Sequence, residues 1–232
     1  MSIRRIWLIA TLVLLPLCAP CVEKRLDFTA ILKEVQVLNK VDNRFTVVIW
    51  MPEQYWRASF QSNDKLTEKA KDEFIDALRP YTLVAVVDAK VGVAGAFTFA
   101  SSEDLSTNVT IEDGAGNLYT PLDSQAQSNS VRNLLQIMKP IMANAMGSFG
   151  SNFEILVFPA NGKSGARIAD ATQEGSFTVH VSELKFRYRL PLGSLLPPMM
   201  DRHTGDSFPG NYHFNPFTGD KLAPADAAAK SN

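Results

Sequence analysis

Cysteine is scarce in this chain. Only Cys18 and Cys21 occur among its 232 residues, so no cysteine follows position 21. Both lie at the end of an N-terminal segment that we expect to be removed, which would leave the rest of the chain without a thiol. Disulfide scaffolds, cysteine nucleophiles and thiolate metal sites are therefore excluded for that remainder.

An excess of positive charge is also missing. Lys and Arg number 23 against 24 Asp and Glu, which gives a formal net charge of −1. A dedicated nucleic-acid-binding protein needs a basic stripe, so we expect no nucleic-acid partner. The chain has 13 glycines and 13 prolines, too few for a collagen-like or low-complexity protein. Its apolar content of 46% is that of a globular domain.

The N-terminal apolar run is too short for a membrane span. It covers residues 6–17, whereas a transmembrane helix needs about 20 apolar residues. Because Arg4 and Arg5 precede this run and small residues follow it, residues 1–21 are predicted to be a secretory signal peptide. The protein is then periplasmic or extracellular. Loss of the two arginines would bring the net charge to −3.

The two cysteines leave a lipoprotein as the alternative. Lipidation at Cys18 or Cys21 would anchor the protein to a membrane, and membrane contact is expected only in that case. The residue before each of these cysteines is Leu17 or Pro20, where a lipoprotein signal has Gly or Ala, so plain export is favoured.

The hydrophobic patterns predict a mainly-β globular domain over residues 22–200 with two packed helices. A helix is predicted over 65–80, where apolar residues recur every four positions, and another over 131–146. Strands are predicted at 44–51, 55–61, 82–91, 96–100, 108–111, 118–119, 153–158, 176–181 and 184–190. Residues 223–232 are expected to form a disordered tail.

The stretch 110–122 suggests a fold family. It combines a strand, an acidic residue, a glycine-containing turn and the sequence Leu-Tyr-Thr-Pro-Leu. This hairpin resembles those of bacterial extracytoplasmic Ig-like β-sandwich proteins of unknown function, and the resemblance implies an Ig-like sandwich. The alternative is an α+β or α/β layered domain, because the helix between the apolar strands at 45–51 and 82–91 could be a crossover.

Residues 201–222, here called the C-terminal segment, read DRHTGDSFPGNYHFNPFTGDKL. This pattern resembles a zinc ribbon that has lost its cysteines: two similar Gly-containing turns, or knuckles, stand where the ribbon's ligand pairs would be. The ligand positions are occupied by Asp201, Thr204, Asn215 and Thr218, which cannot supply the soft tetrahedral field of a zinc ribbon. The alternative is a polar loop that contains two similar turns.

Histidine and aspartate in this segment suggest a different metal site. His203, His213, Asp201 and Asp206 lie close together in sequence, with Asp220 nearby, and these donor types suit zinc or manganese. Exposed loop residues would give the same pattern. Met138, Met142 and Met146 share one helical face, which is typical of a helix packed on a core rather than of a copper site. No cofactor is predicted.

No nucleophile elbow or zinc-protease motif occurs, so catalysis is not favoured. Exposed aromatic residues at loops often anchor partners, and Trp50, Tyr55, Trp56, Tyr212 and Phe217 are the candidate binding residues. The equal alternative is that these residues pack under the sheet. The sequence therefore predicts an exported envelope protein that acts as a non-catalytic binding or assembly module for an envelope protein or small ligand. The alternative is a metal-binding protein or enzyme that uses the C-terminal segment.

Overall fold

The computed structural model describes residues 25–61, 63–145 and 147–225. The predicted signal peptide, with Cys18 and Cys21, lies outside these residues. The helices are α1 (Phe28–Val35), α2 (Glu53–Phe60), α3 (Glu68–Leu78), α4 (Ser102–Asn108) and α5 (Asn129–Ala145). The strands are β1 (Gln36–Val41), β2 (Arg44–Trp50), β3 (Tyr81–Val91), β4 (Phe97–Phe99), β5 (Val109–Glu112), β6 (Leu118–Tyr119), β7 (Glu154–Pro159), β8 (Gly175–Val181), β9 (Leu184–Leu190), β10 (Met199–Met200), β11 (Ser207–Phe208) and β12 (Ala223–Pro224).

The main sheet is built around β3. This strand pairs with β2 on one side, and on its other side with β7 along its first half and β4 along its last residues. Beyond β2 lies β1, and every pair in the sheet is antiparallel. The helices between β2 and β3 therefore connect antiparallel neighbours, and the α/β crossover considered from the sequence does not occur there.

A second antiparallel sheet, ordered β6-β5-β8-β9, packs on the main sheet. Along β8 and β9 buried and more exposed residues alternate, as expected for strands with one buried face. Trp50 of the main sheet lies edge-on to Phe177 and Tyr188 of this second sheet. The Tyr188 hydroxyl donates a hydrogen bond to the Val48 carbonyl of the main sheet at 3.3 Å.

The residues of the hairpin that suggested an Ig-like family make hydrogen bonds within the turn. The Asp113 carboxylate accepts hydrogen bonds from the Ala115 and Asn117 backbone N–H groups and from the Tyr119 hydroxyl. Although burial acts to raise the pKa of Asp113, these hydrogen bonds lower it to about 2. Aspartate and tyrosine at these positions thus stabilise the turn itself, and Gly116 adopts a φ of 85° in it.

The β-rich character predicted from the sequence is confirmed, and the described residues form three antiparallel sheets, but they also form five helices rather than the two predicted. The predicted strand 55–61 is wrong, because these residues lie mostly in α2, which follows Pro52. Met138 is buried and Met142 packs on the core, whereas Met146 lies outside the described residues. Residues 223–224 form β12, so order extends past the predicted start of the tail; residues 226–232 are not described.

Candidate functional site

The first knuckle of the C-terminal segment is organised by Asp201. Its Oδ1 accepts hydrogen bonds from the backbone N–H groups of His203 and Thr204, at 2.8 and 3.3 Å. Its carbonyl accepts from the N–H of Gly205, and its own N–H donates to the Asp206 carbonyl. The Thr204 hydroxyl donates to the Asp206 carboxylate at 2.7 Å. Gly205 adopts a φ of 77°, in the left-handed region that favours glycine.

The second knuckle has the same set of hydrogen bonds. Asn215 Oδ1 accepts from the N–H groups of Phe217 and Thr218, at 2.9 and 3.4 Å. The Asn215 carbonyl accepts from the Gly219 N–H, and the Asn215 N–H donates to the Asp220 carbonyl. The Thr218 hydroxyl donates to the Asp220 carboxylate at 2.8 Å. The sequence similarity of the two turns therefore reflects one backbone conformation used twice.

A buried hydrogen bond joins the two knuckles. Asn215 Nδ2 donates to Asp201 Oδ2 at 2.5 Å, and the two residues are only 2% and 1% exposed. This donor lowers the pKa of the Asp201 carboxyl below its ordinary value, and the His203 backbone N–H adds to the effect. Two of the four predicted ligand positions are thus bonded to each other, and the remaining two, Thr204 and Thr218, are bonded within their own knuckles.

Two glycines bring the C-terminal segment against the domain. The Gly210 N–H donates to the Gly193 carbonyl at 3.0 Å, and the Asn211 side chain donates to the Pro191 carbonyl at 3.2 Å. Gly193 is itself fixed by α1, because the Glu34 carboxylate accepts hydrogen bonds from the N–H groups of Gly193 and Ser194 at 2.6 and 2.7 Å. The segment is docked on a turn that α1 holds in place.

The structure brings together part of the predicted metal set. Ligand atoms of Asp201, His203 and Asp220 all lie within 4.8 Å of one another. Asp206 is not in this group, and His213 is exposed beside a different cleft. Asp201, the buried member, has both carboxylate oxygens in hydrogen bonds within the segment.

The aromatic candidates divide into two groups. Trp50 and Trp56 are buried, so their prediction as exposed aromatics is wrong; they line a cavity of about 220 Å³ that Leu83 also borders. Tyr55 is half-buried between Phe28 and Trp56. Tyr212 and Phe217 are exposed, and Phe217, at 88%, is among the most exposed apolar residues described.

A cleft between the C-terminal segment and the domain was not predicted. Its volume is about 700 Å³, and its walls come from the end of α1, the exposed face of β9 and residues 209–216. It contains Lys33, Arg187 and Arg189, and we call it the cationic cleft. The alternation in β9 places Lys185, Arg187 and Arg189 on one exposed face. Part of the positive charge of the cleft was therefore visible in the sequence.

No helix in the described ranges is long and apolar enough to cross a membrane. No known protein family, no curated protein and no solved structure matches this chain.

Proposed function

We propose that this protein is an exported, non-catalytic binding or assembly module, and that its C-terminal segment is a zinc ribbon that has replaced its metal with a hydrogen bond. The Asp201–Asn215 bond carries this proposal. It links the first residue of each knuckle, where a zinc ribbon would have one cysteine of each ligand pair, and it is buried like a structural metal centre. The resemblance of the domain to Ig-like envelope proteins stays a prediction.

The exposed aromatics support a role in binding. The knuckles form a hydrogen-bonded scaffold, and Phe217 lies on the second knuckle with its ring almost fully exposed. Phe214 and Tyr212 are exposed on the same segment. Aromatic side chains on a preorganised scaffold contribute contact area at low cost in conformational entropy, which favours recognition of an envelope protein by this surface.

Site-specific photocrosslinking in the native envelope tests this role. A benzophenone side chain at position 217 should give a discrete adduct with one envelope protein. The same group at Leu118, which is exposed on the hairpin of the second sheet, is the matched control and should not give that adduct. The absence of an adduct at 217, or the same adducts at both positions, would contradict a binding role for the segment.

Metal binding is the second candidate, because Asp201, His203 and Asp220 converge. Zinc titration of the full chain distinguishes a ribbon without metal from a metal-binding protein. We expect the wild-type protein to bind no zinc tightly, and a variant with cysteine at 201, 204, 215 and 218 to bind one ion with tetrahedral geometry. Tight binding by the wild-type protein that is lost in His203→Ala and kept in His213→Ala would instead support the metal-binding alternative.

A further inference from the structure

The cationic cleft combines unpaired positive charge with aromatic walls. The side chains of Lys33, Arg187 and Arg189 make no hydrogen bond or ion pair with any residue that the structure describes, although the backbones of the two arginines pair with β8. Arg44, by contrast, binds the Asp88 carboxylate through two nitrogens, at 2.8 and 2.9 Å. The cleft cations are therefore available to a ligand.

The acidic residue of the cleft does not neutralise them. Glu34 is the one carboxylate among the described residues that line the cleft, and both of its oxygens accept backbone N–H groups of Gly193 and Ser194. Those two bonds hold the Glu34 carboxylate at the turn that anchors the C-terminal segment. The positive groups on β9 and α1 thus outnumber the negative one, which has a structural role.

The opposite wall is formed mainly by aromatic and proline side chains. Tyr212 and Phe214 of the C-terminal segment line the cleft together with Pro209 and Pro216, with Asn211 and His213 between them, and both aromatic residues are exposed. Aromatic rings bind flat apolar groups, and arginine adds cation–π stacking with aromatic systems. A ligand that enters the cleft therefore meets cations on the β9 side and rings on the other.

We infer that the cationic cleft is a binding site for a small amphiphilic anion, with a carboxylate or phosphate on Arg187 and Arg189 and an apolar body against Tyr212 and Phe214. The planar guanidinium group matches both anions through paired hydrogen bonds. Arg187 and Arg189 are two residues apart on one face of the strand, about 7 Å, so both side chains can reach one anionic group. A volume of about 700 Å³ is that of a small-molecule site.

The test uses 2-naphthoate as probe and neutral 2-naphthamide as its shape-matched control, with binding followed by amide chemical shifts of the full chain. We expect saturable binding of naphthoate with a Kd of about 1 mM or tighter, and shifts at residues 187–189 and 212–214. Naphthamide should bind at least about tenfold more weakly, because it lacks the charge that the arginines recognise.

Charge-removal variants locate the site. Arg187→Gln/Arg189→Gln should weaken naphthoate binding by about tenfold or more. Lys185→Gln should leave it unchanged, because Lys185 lies on the same exposed face of β9 but does not line the cleft. If the double variant does not fold, Lys33→Gln provides the corresponding loss from α1. Equal binding of the amide, shifts that map elsewhere, or no saturation would each overturn the inference.

The proposed anion site uses the C-terminal segment only for the residues that line one side of the cationic cleft. A missing crosslink at Phe217 with intact naphthoate binding would therefore overturn the proposed recognition role alone. A discrete crosslink at position 217 without naphthoate binding would overturn the anion site alone, because Phe217 does not line the cleft.

Discussion

At the scale of single residues, Asp201 and Asn215 each hold their own knuckle together and also bond to the other knuckle, with side chains of nearly the same shape. Each uses Oδ1 to accept two backbone N–H groups of its own knuckle. The remaining terminal atom of each points to the other knuckle, where a carboxylate oxygen accepts and an amide nitrogen donates. One acid and one amide are therefore needed, and two of either kind would leave a buried polar atom without a suitable partner.

Exchanging the two side chains tests this complementarity. Asp201→Asn alone would set two amide donors against each other, and Asn215→Asp alone would set two carboxylates against each other. Each single variant should raise the exchange rates of the Thr204 and Thr218 amides by about tenfold or more, because hydrogen bonds to charged groups are among the stronger ones. The double exchange should restore protection close to the wild-type rate. Amide hydrogen exchange by NMR measures this, and a double variant as labile as the single ones would refute the pairing.

The same bond makes the C-terminal segment sensitive to acid. The Asn215 amide, and after it the His203 N–H, lower the pKa of Asp201 in the folded protein below its ordinary value of 3.8. A group with a lowered folded pKa stabilises the protein at pH values above its unfolded pKa, and this stabilisation is lost as the pH falls through the folded value. The carboxyl ¹³C shift of Asp201 should therefore titrate below pH 3.8. In Asn215→Ala the midpoint should rise, and an unchanged midpoint would exclude the amide as the cause.

The two similar turns of the segment could be recognised from the sequence, because their spacing is local. The sequence did not reveal which side chains bond across 14 residues, since donor–acceptor pairing between knuckles is a tertiary property. Trp50 and Trp56 were misjudged for a related reason. Aromatic residues around Pro52 have the same pattern whether they face solvent or another sheet, and only the packing of Phe177 and Tyr188 on Trp50 decides between them.

At the scale of elements, the contact between the C-terminal segment and the domain depends on the absence of a side chain. A Cβ added at Gly193 would lie 2.3 Å from Asn211 Oδ1 and 2.6 Å from Pro209 Cβ. A Cβ at Gly210 would lie 2.4 Å from the Pro197 carbonyl oxygen. The two glycines let the backbones approach closely enough for the hydrogen bond between them.

Gly193→Ala should loosen this docking without unfolding the domain. Pro209 is rigid, so the segment has to move rather than a flexible side chain. We expect cleavage within residues 203–213 by a non-specific protease to accelerate by about tenfold, while the unfolding free energy of the domain changes by about 1 kcal/mol or less. Ser194→Ala is the matched control, because the buried Ser194 hydroxyl has no hydrogen-bond partner among the described residues. Equal cleavage rates in the two variants would show that the close glycine contact does not hold the segment.

The elements that the sequence predicted well are those with a strong apolar pattern. β2, β3, β8 and β9 are buried or alternate regularly, and α3 and α5 have one apolar face. α1, β1 and α4 were missed because they are short and mixed in character. α2 was taken for a strand, since its aromatic residues favour strands in isolation, whereas Pro52 and the packing of Trp56 on Phe74 favour the helix.

At the scale of the whole molecule, the hydrophobic core does not include the C-terminal segment. The core cluster extends over both large sheets and their helices and contains no described residue after Leu195. The ion pair that links the two large sheets also lies outside the segment: Arg44 of β2, which binds Asp88 of β3 within its own sheet, also binds Glu183 at the turn between β8 and β9. Leu222 is buried, yet it does not belong to that cluster.

A chain that ends at Met200 should therefore fold. It keeps the whole core cluster, the contact of Trp50 with Phe177 and Tyr188, and the Glu34 bonds to the Gly193 turn. It loses the pairing of β10 with β11 and β12 and the cover over residues 191–197. We expect cooperative urea unfolding with a free energy lowered by about 2 kcal/mol or less, and near-ultraviolet circular dichroism close to that of the full chain.

The same truncated chain should lose naphthoate binding, because it lacks the wall formed by Tyr212 and Phe214 but keeps Arg187 and Arg189. A folded domain without anion binding would mean that residues up to 200 form a complete domain and that the anion site also needs the C-terminal segment. Aggregation, or a non-cooperative transition, would contradict this, since it would show that residues 201–222 complete the core.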